Sequence, residues 1–306
     1  MLATLIEEVR QCCEQSLRHR EMVWLEESLG RAGRTRRDCA ALVSRVSDDD
    51  ITPGAVAEFK RALVGDKETE EGLVERFLIL HGILEFVGRI PELPVVSTVK
   101  KLFCQQFLSF AKDEASKARY RSDSFSFVVM SKQASLRCFP AGELYWDVAG
   151  LARSRLLKLP PLSLPIAVYF LCAKFKGVKP AFFYHLNPLR KTKILVPKEM
   201  HKSLYLMAKS LELQPHIKGI YTMGWLQSPD TVRASPHLAW RNKVFEENGG
   251  LILGMKEEGI HKLAFENSPE RRKLYEEGKF KPTNGLVMWA AQDALSWAAQ
   301  HPELAE

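Results

Sequence analysis

Leu73, Phe77, Leu80, Leu84 and Val87 recur at steps of four, three, four and three. Only a helix brings such positions onto one face, so the segment predicts an amphipathic helix. Pro91 and Pro94 end it, because proline lacks a backbone donor and clashes with the preceding turn. The same period runs through residues 1–120. Leu2, Leu5, Ile6 and Val9 share one face of a helical run expected to end near Gly30. Thr35 is placed to cap a helix through Val46, and Thr52-Pro53 is a start signal that pairs a capping hydroxyl with a residue needing no donor. Ser97 is expected to cap a helix carrying Val99, Phe103, Phe107 and Phe110. Residues 1–120 therefore predict a helical N-terminal bundle, which would also offer a surface to a protein partner.

The pattern changes at Ser122. SFSFVVM (Ser124–Met130) is rich in β-formers and is expected to be a strand, with SLRCF (Ser135–Phe139) as its hairpin partner. After the proline-broken LLKLPPLSLP comes IAVYFLCAKF, a compact apolar run expected to be a buried strand with basic loops at both ends. AFFYHL, IKGIYTMGWL, LILGM and GLVMWA read as strands. Lys198–Leu213, Asp230–Glu247, Pro269–Glu277 and Gln292–Gln300 read as helices between them. The fold class is α+β or α/β: a helical N-terminal bundle over 1–120, then a mixed-sheet α/β domain with flanking helices over 121–306.

The chain of 306 residues is 46% apolar and 26% charged, the proportions of an ordinary globular protein, and it is long enough for two domains. The cysteines Cys12, Cys13, Cys39, Cys104, Cys138 and Cys172 show no CxxC spacing, so reduced thiols and a cytoplasmic location are expected. MLATLIEEVRQCCEQ does not read as a signal peptide, and no run reaches the ~18 apolar residues of a membrane span.

The charge is uneven. Residues 151–202 hold eleven Lys or Arg against one acid, Glu199, while the whole chain carries +7. Such an excess suits an anionic partner, foremost a phosphate-bearing small molecule, although a solvated basic face has the same composition. A membrane surface is a second reading: Arg153, Arg155 and Lys158 precede LPPLSLPIAVYFLC, and Lys174, Lys176 and Lys179 follow it. No named nucleic-acid motif is present, so nucleic acid is not an expected partner.

Motifs exclude several chemistries. There is no GxxxxGK[ST], no GxGxxG after a strand, no GxSxG elbow and no HExxH or HxH. No metal site is expected. His201, His216 and His237 are scattered, and a satisfied or solvated side chain is the simple account of each. His185 differs, because it follows AFFY at a strand end, where α/β sheets place ligands. NPLRKTK follows it and supplies Arg190, Lys191 and Lys193 just before a helix, a combination suited to a phosphate or carboxylate. In Gly219–Asn242, Ser228-Pro229 and Ser235-Pro236 read first as helix starts. The remaining Trp225, Arg233, His237 and Arg241 would line a substrate side facing the loop after His185.

Two resemblances rest on these residues. GWLQSPDTVRASPHLAW, ERRKLYEEGKFKP and GLVMWAAQDALSWAAQHPEL resemble an uncharacterised bacterial protein family over about residues 181–306. The family pattern Trp-Phe/Tyr-x-Asp-Pro is displaced here to Trp225-Leu226-Gln227-Ser228-Pro229-Asp230, and the resemblance implies a coherent domain of bacterial origin but no reaction. The unit AFFYHL, MHKSLYLMAKSLEL, IKGIYTMGWL is similar to part of the core of GNAT-type acyltransferases, in which a splayed strand pair and a helix N-terminus receive acyl-coenzyme A. Their Gln/Arg-x-x-Gly-x-Gly/Ala loop is missing, so Arg190, Lys191 and Lys193 would replace backbone donors. The resemblance implies an acyltransferase-like transferase with acyl-CoA as donor and His185 or Tyr184 as acid or base. The alternatives are a non-catalytic binding or accessory protein and a peripheral membrane-associated protein.

Overall fold

The computed structural model describes residues 1–46, 53–65, 67–113, 117–189, 196–258, 264 and 268–305. They group into two compact units: Met1–Gly142 with the described part of 187–193, and Glu143–Leu186 with the described part of 194–306. The 3-10 turn Lys117–Tyr120 precedes the 120/121 boundary expected from sequence, and the next helix and strand belong to the first unit.

The first unit is helical, as expected. α1 (Leu2–Leu17) and α2 (Arg20–Arg31) replace the single run expected to Gly30, because His19 is extended (φ −62°, ψ 143°) between them. α3 (Arg36–Arg45) begins at a capping box. The Asp38 amide donates to Thr35 Oγ1 at 3.3 Å and the Thr35 amide donates to Asp38 Oδ2 at 2.7 Å. α4 spans Pro53–Val64.

α5 (Leu73–Phe86) is not a one-sided helix, since every residue from Leu73 to Ile83 is buried. It is the axis of the unit, and its one buried guanidinium has a structural use. Arg76 donates to the carbonyls of Phe110 (2.9 Å), Ala111 (2.8 Å) and Asp113 (2.7 Å). These lie at the C-terminal end of α6 (Ser97–Lys112), where carbonyls lack helical partners and the helix dipole favours a cation. Ser97 does not cap α6; Val96 holds the cap position and makes no side-chain bond.

The expected strand at Ser124–Met130 is instead α7 (Phe125–Ala134). Its residues from Phe127 to Ala134 are all buried, so the apolar run has no period to separate helix from strand. Ser124 accepts from the Phe127 amide at 3.1 Å and sets the helical start. Its supposed hairpin partner, Ser135–Phe139, overlaps only the first two residues of β1 (Cys138–Ala141).

The second unit holds five of the six described strands, in the order β2-β3-β4-β6-β5. They are β2 (Leu144–Ala149), β3 (Ala181–Leu186), β4 (Gly219–Gly224), β5 (Leu251–Glu258) and β6 (Thr283–Ala290). β3 and β4 run parallel, with α10 (Pro197–Leu211) in the crossover; the other neighbours are antiparallel. The mixed sheet with flanking helices matches the expected fold class.

One sheet face packs Tyr221, Leu253, Leu286, Met288 and Ala290 with α9 (Leu164–Ala173) and Phe175. The other packs Trp289 edge-on to Phe245, with centroids 5.3 Å apart, and against Trp297 of α14 (Ala291–Gln300) at 5.3 Å. α9 is a second correction. IAVYFLCAKF is not a buried strand, and only Ala167, Phe170 and Leu171 of the helix it forms are buried. Serine and two prolines at its start (Ser163, Pro160, Pro165) suit a helix beginning, and an apolar run alone does not exclude one.

Candidate functional site

β3 and β4 are neighbours, yet register pairs join only Phe182 to Ile220 and Phe183 to Tyr221. Beyond them each strand is held on its outer edge: Leu186 pairs with Leu144 of β2, and Gly224 with Gly285 of β6. The two strands thus separate toward their C-terminal ends, the edge at which open α/β sheets form ligand crevices. A side chain bridges the start of the opening, where Thr222 Oγ1 donates to the Tyr184 carbonyl at 2.8 Å.

Alternation along β3 sends Tyr184 and His185 to opposite faces. Tyr184 is fully enclosed, its ring parallel to Phe245 at 6.2 Å. Burial pushes its phenol pKa well up; the Arg241 charge and the nearby Gln227 side chain pull the other way without offsetting it. The chain from β4 crosses β6 here. A Cβ at Gly285 would overlap the Gln227 carbonyl, and one at Gly224 would lie 3.1 Å from Gln227 Oε1, so both glycines admit the crossing. Gln227, Thr231, Arg241 and Asn242 are all buried, and Asn242 Nδ2 donates to the Gln227 carbonyl at 3.4 Å.

The start of α11 (Pro229–Ala234) is tied to β6 through hydroxyls. Ser228 Oγ accepts from the Asp230 amide at 3.2 Å and lies 2.7 Å from Thr283 Oγ1, which donates to Asp230 Oδ2 at 3.0 Å. Ser228 is therefore the expected cap. Ser235 is not one: it accepts instead from Arg271 of α13 (Pro269–Glu276) at 3.0 Å. Arg271 also donates from Nε to the Ala264 carbonyl at 2.7 Å and lies 5.2 Å over the Trp225 ring. Its burial draws its pKa down. Its three contacts use the guanidinium as a clamp on the segment that carries Trp225.

The opposite face carries His185 on an aromatic shelf. His185 stacks on Tyr145 (5.0 Å, 18°) and meets Phe183 edge-on (4.0 Å, 63°), and Phe183 stacks on Tyr221 (4.6 Å, 4°). Tyr221 donates to the Gly150 carbonyl at 3.1 Å. Burial and the buried Asp147 raise its pKa, and Arg155 acts against them. His185 itself is only half-buried.

The expected residues are thus divided. Tyr184 and Arg241 belong to the enclosed cluster; Trp225 is half-buried under Arg271. Arg233 points outward, 79% exposed and paired with Asp230 at 3.2 Å, and His237 is exposed. Arg190, Lys191 and Lys193 lie outside the described residues. Just after them α10 starts with Pro197 at its first position and no side-chain cap from Val196. Tyr145, Asp147 and Arg271 were not singled out from sequence. The alternation in LYWDV is the signal for the first two, whereas nothing local marks Arg271 as buried.

Among the described residues no group of three or more His, Cys, Asp or Glu could hold a metal ion. No described helix is long and apolar enough to cross a membrane. No protein-family model matches the chain, and no curated protein matches it. Among solved structures it is similar to an acyltransferase crystallised in complex with decanoyl-CoA, at 12% identity over 93% of this chain and 98% of that one, with a TM-score of 0.46. No family is assigned on these comparisons.

Proposed function

We propose that the second unit is a transferase that takes a phosphate-bearing donor of the acyl-CoA kind at the β3/β4 opening. The observation that supports this is the parting of the parallel pair after two register positions. Strand edges carry amides and carbonyls that need partners, and an extended ligand with amides of its own satisfies them as an added strand does. The pantetheine arm of coenzyme A is such a ligand. Its diphosphate would lie toward the start of α10 and Arg190, Lys191 and Lys193, where helix amides and cations favour an anion.

In this reading the acceptor nucleophile attacks the thioester carbonyl, the C–S bond breaks, and coenzyme A leaves as a thiol. His185, half-buried and oriented by Tyr145, receives the proton from the acceptor. His185 then returns that proton to the departing thiolate; Tyr184, enclosed on the opposite face, keeps its own proton because burial raises its pKa, so it does not act as base. Of the residues expected on the acceptor side, the half-buried Trp225 and the exposed His237 are open to an acceptor, whereas Arg241 is enclosed and Arg233 is held outward by Asp230.

Calorimetric titration with coenzyme A tests the donor assignment. Lys191→Ala with Lys193→Ala should weaken binding by roughly tenfold or more, since charge-assisted contacts to phosphate are among the stronger polar interactions. No binding, or equal binding by the variant, rejects it. His185→Ala should lower acyl transfer by about 10²–10⁴ while keeping affinity for the donor.

The enclosure of Tyr184 and Arg241 favours a second reading, a non-catalytic binding protein that uses the same opening. Coenzyme A binding without thioester turnover in the presence of amine and alcohol acceptors would select it.

A further inference from the structure

We propose that α8 (Arg153–Leu156), α9 and the turn between them form a peripheral docking surface for an anionic lipid bilayer. The inference does not depend on the transferase reading.

α9 is apolar on every side, but the sheet covers only one stripe of it: Ala167, Phe170 and Leu171, at spacings of three and one. A helix of that composition is normally enclosed, in a core or by lipid. Here its other side is bare. Leu157 (76% exposed), Leu162 (88%), Ile166, Val168 and Tyr169 (72%) are five of the twelve exposed large hydrophobic residues among those described, and all five fall within thirteen consecutive positions. Isolated exposed leucines are ordinary; a cluster of this kind marks a surface that something covers. Ile166, Tyr169 and Ala173 follow one another by three and four, so they form one ridge along the helix, and Leu162 is exposed in the turn just before it.

The charges around the ridge decide what covers it. Arg153, Lys176 and Lys179 are exposed at its two ends, and residues 151–198 contain no Asp or Glu. Lys174, in the same segment, is engaged with Asp293 at 3.3 Å. A second copy of the chain would bring one basic rim against another, because a two-fold interface pairs a patch with itself. An anionic bilayer supplies both complements at once: hydrocarbon for the ridge and phosphate for the rim. α9 has ten residues, half of what a span needs, so the helix would lie in the plane of the interface.

Beside the ridge is a groove of about 720 Å³ whose walls include Leu156, Leu164, Val168 and Val178, with Arg153 and Lys176 at its edge. An apolar trough with cations at its edge fits one acyl chain and its headgroup.

Vesicle co-sedimentation of the full chain tests the proposal. The chain should bind phosphatidylcholine vesicles containing phosphatidylserine, bind vesicles of phosphatidylcholine alone much less, and release with salt. Leu162→Asp with Ile166→Asp should weaken binding by roughly tenfold or more with an unchanged melting temperature, since both side chains are exposed. Arg153→Glu with Lys176→Glu should remove the preference for anionic vesicles. Absence of binding, equal binding to neutral vesicles, or full binding by the Asp variant overturns the proposal. So does concentration-dependent dimerisation that the Asp substitutions abolish, which would mean that a second copy covers the ridge. Coenzyme A titration of the same variants keeps this outcome separate from the donor-site reading, since neither pair of substitutions lies at the β3/β4 opening.

Discussion

His81 is enclosed on α5, edge-on to Phe77 at 4.5 Å, and its burial, with the charge of Arg36, draws its pKa down to about 4. Its Nε2 lies 3.0 Å from Glu26 Oε1, an approach that alone would favour the charged ring. Glu26 is already engaged by Arg36 at 3.2 Å, and desolvation prevails. Above pH 6.5 the ring is neutral in both folded and unfolded chains. Between 6.5 and about 4 only the unfolded chain takes the proton, so stability falls as pH falls through that window, by about 3 kcal/mol in all. Urea unfolding at steps of pH should show this loss in the wild type and not in His81→Gln; parallel curves would contradict a neutral buried histidine. Thr222→Val deletes the hydroxyl that bridges to Tyr184 and should cost about 1–2 kcal/mol. An unchanged denaturation midpoint would mean that the bridge contributes nothing. At this scale the sequence shows caps such as Thr35 and Ser228, because their partners lie within three residues. It does not show Arg76, Arg241 or Arg271 as buried, since the groups that make burial tolerable for Arg76 and Arg271 come from distant positions.

Elements were legible where a period or a cap marked them. α3, α5 and α10 are close to their expected spans, and the expected strands AFFYHL, IKGIYTMGWL, LILGM and GLVMWA contain or fall within β3 to β6. The two misread elements, α7 and α9, are apolar runs without alternation, which a strand and a helix write alike. Glycines separate local from tertiary constraint. A Cβ at Gly30 meets nothing within 4 Å, and the backbone there is not left-handed, so Gly30→Ala should stabilise α2 by up to about 1 kcal/mol. At Gly285 the added methyl would enter the backbone of Gln227, so Gly285→Ala should cost about 1–3 kcal/mol or more. Thermal melts of the two variants should move in opposite directions; equal shifts would contradict the close crossing of β6 by the chain that leaves β4.

For the whole molecule, a helical region followed by a mixed-sheet unit was readable because the hydrophobic period changes along the chain. The candidate site was partly readable. His185 and the Gly219–Asn242 stretch stand at the ends of the two strands that part, and strand ends can be read from sequence. That His185 and Tyr184 face opposite ways follows from alternation alone, but the shelf of Tyr145, Phe183 and Tyr221 needed the register of three strands. The central claim is that the β3/β4 opening receives an acyl-CoA donor. A crystal structure with a non-hydrolysable acyl-CoA thioether tests it most directly. The account predicts the pantetheine arm between the two strands, its diphosphate beside the start of α10, and the carbonyl position within reach of His185. Ligand density seated elsewhere, or an opening left unchanged at saturating ligand, would contradict it.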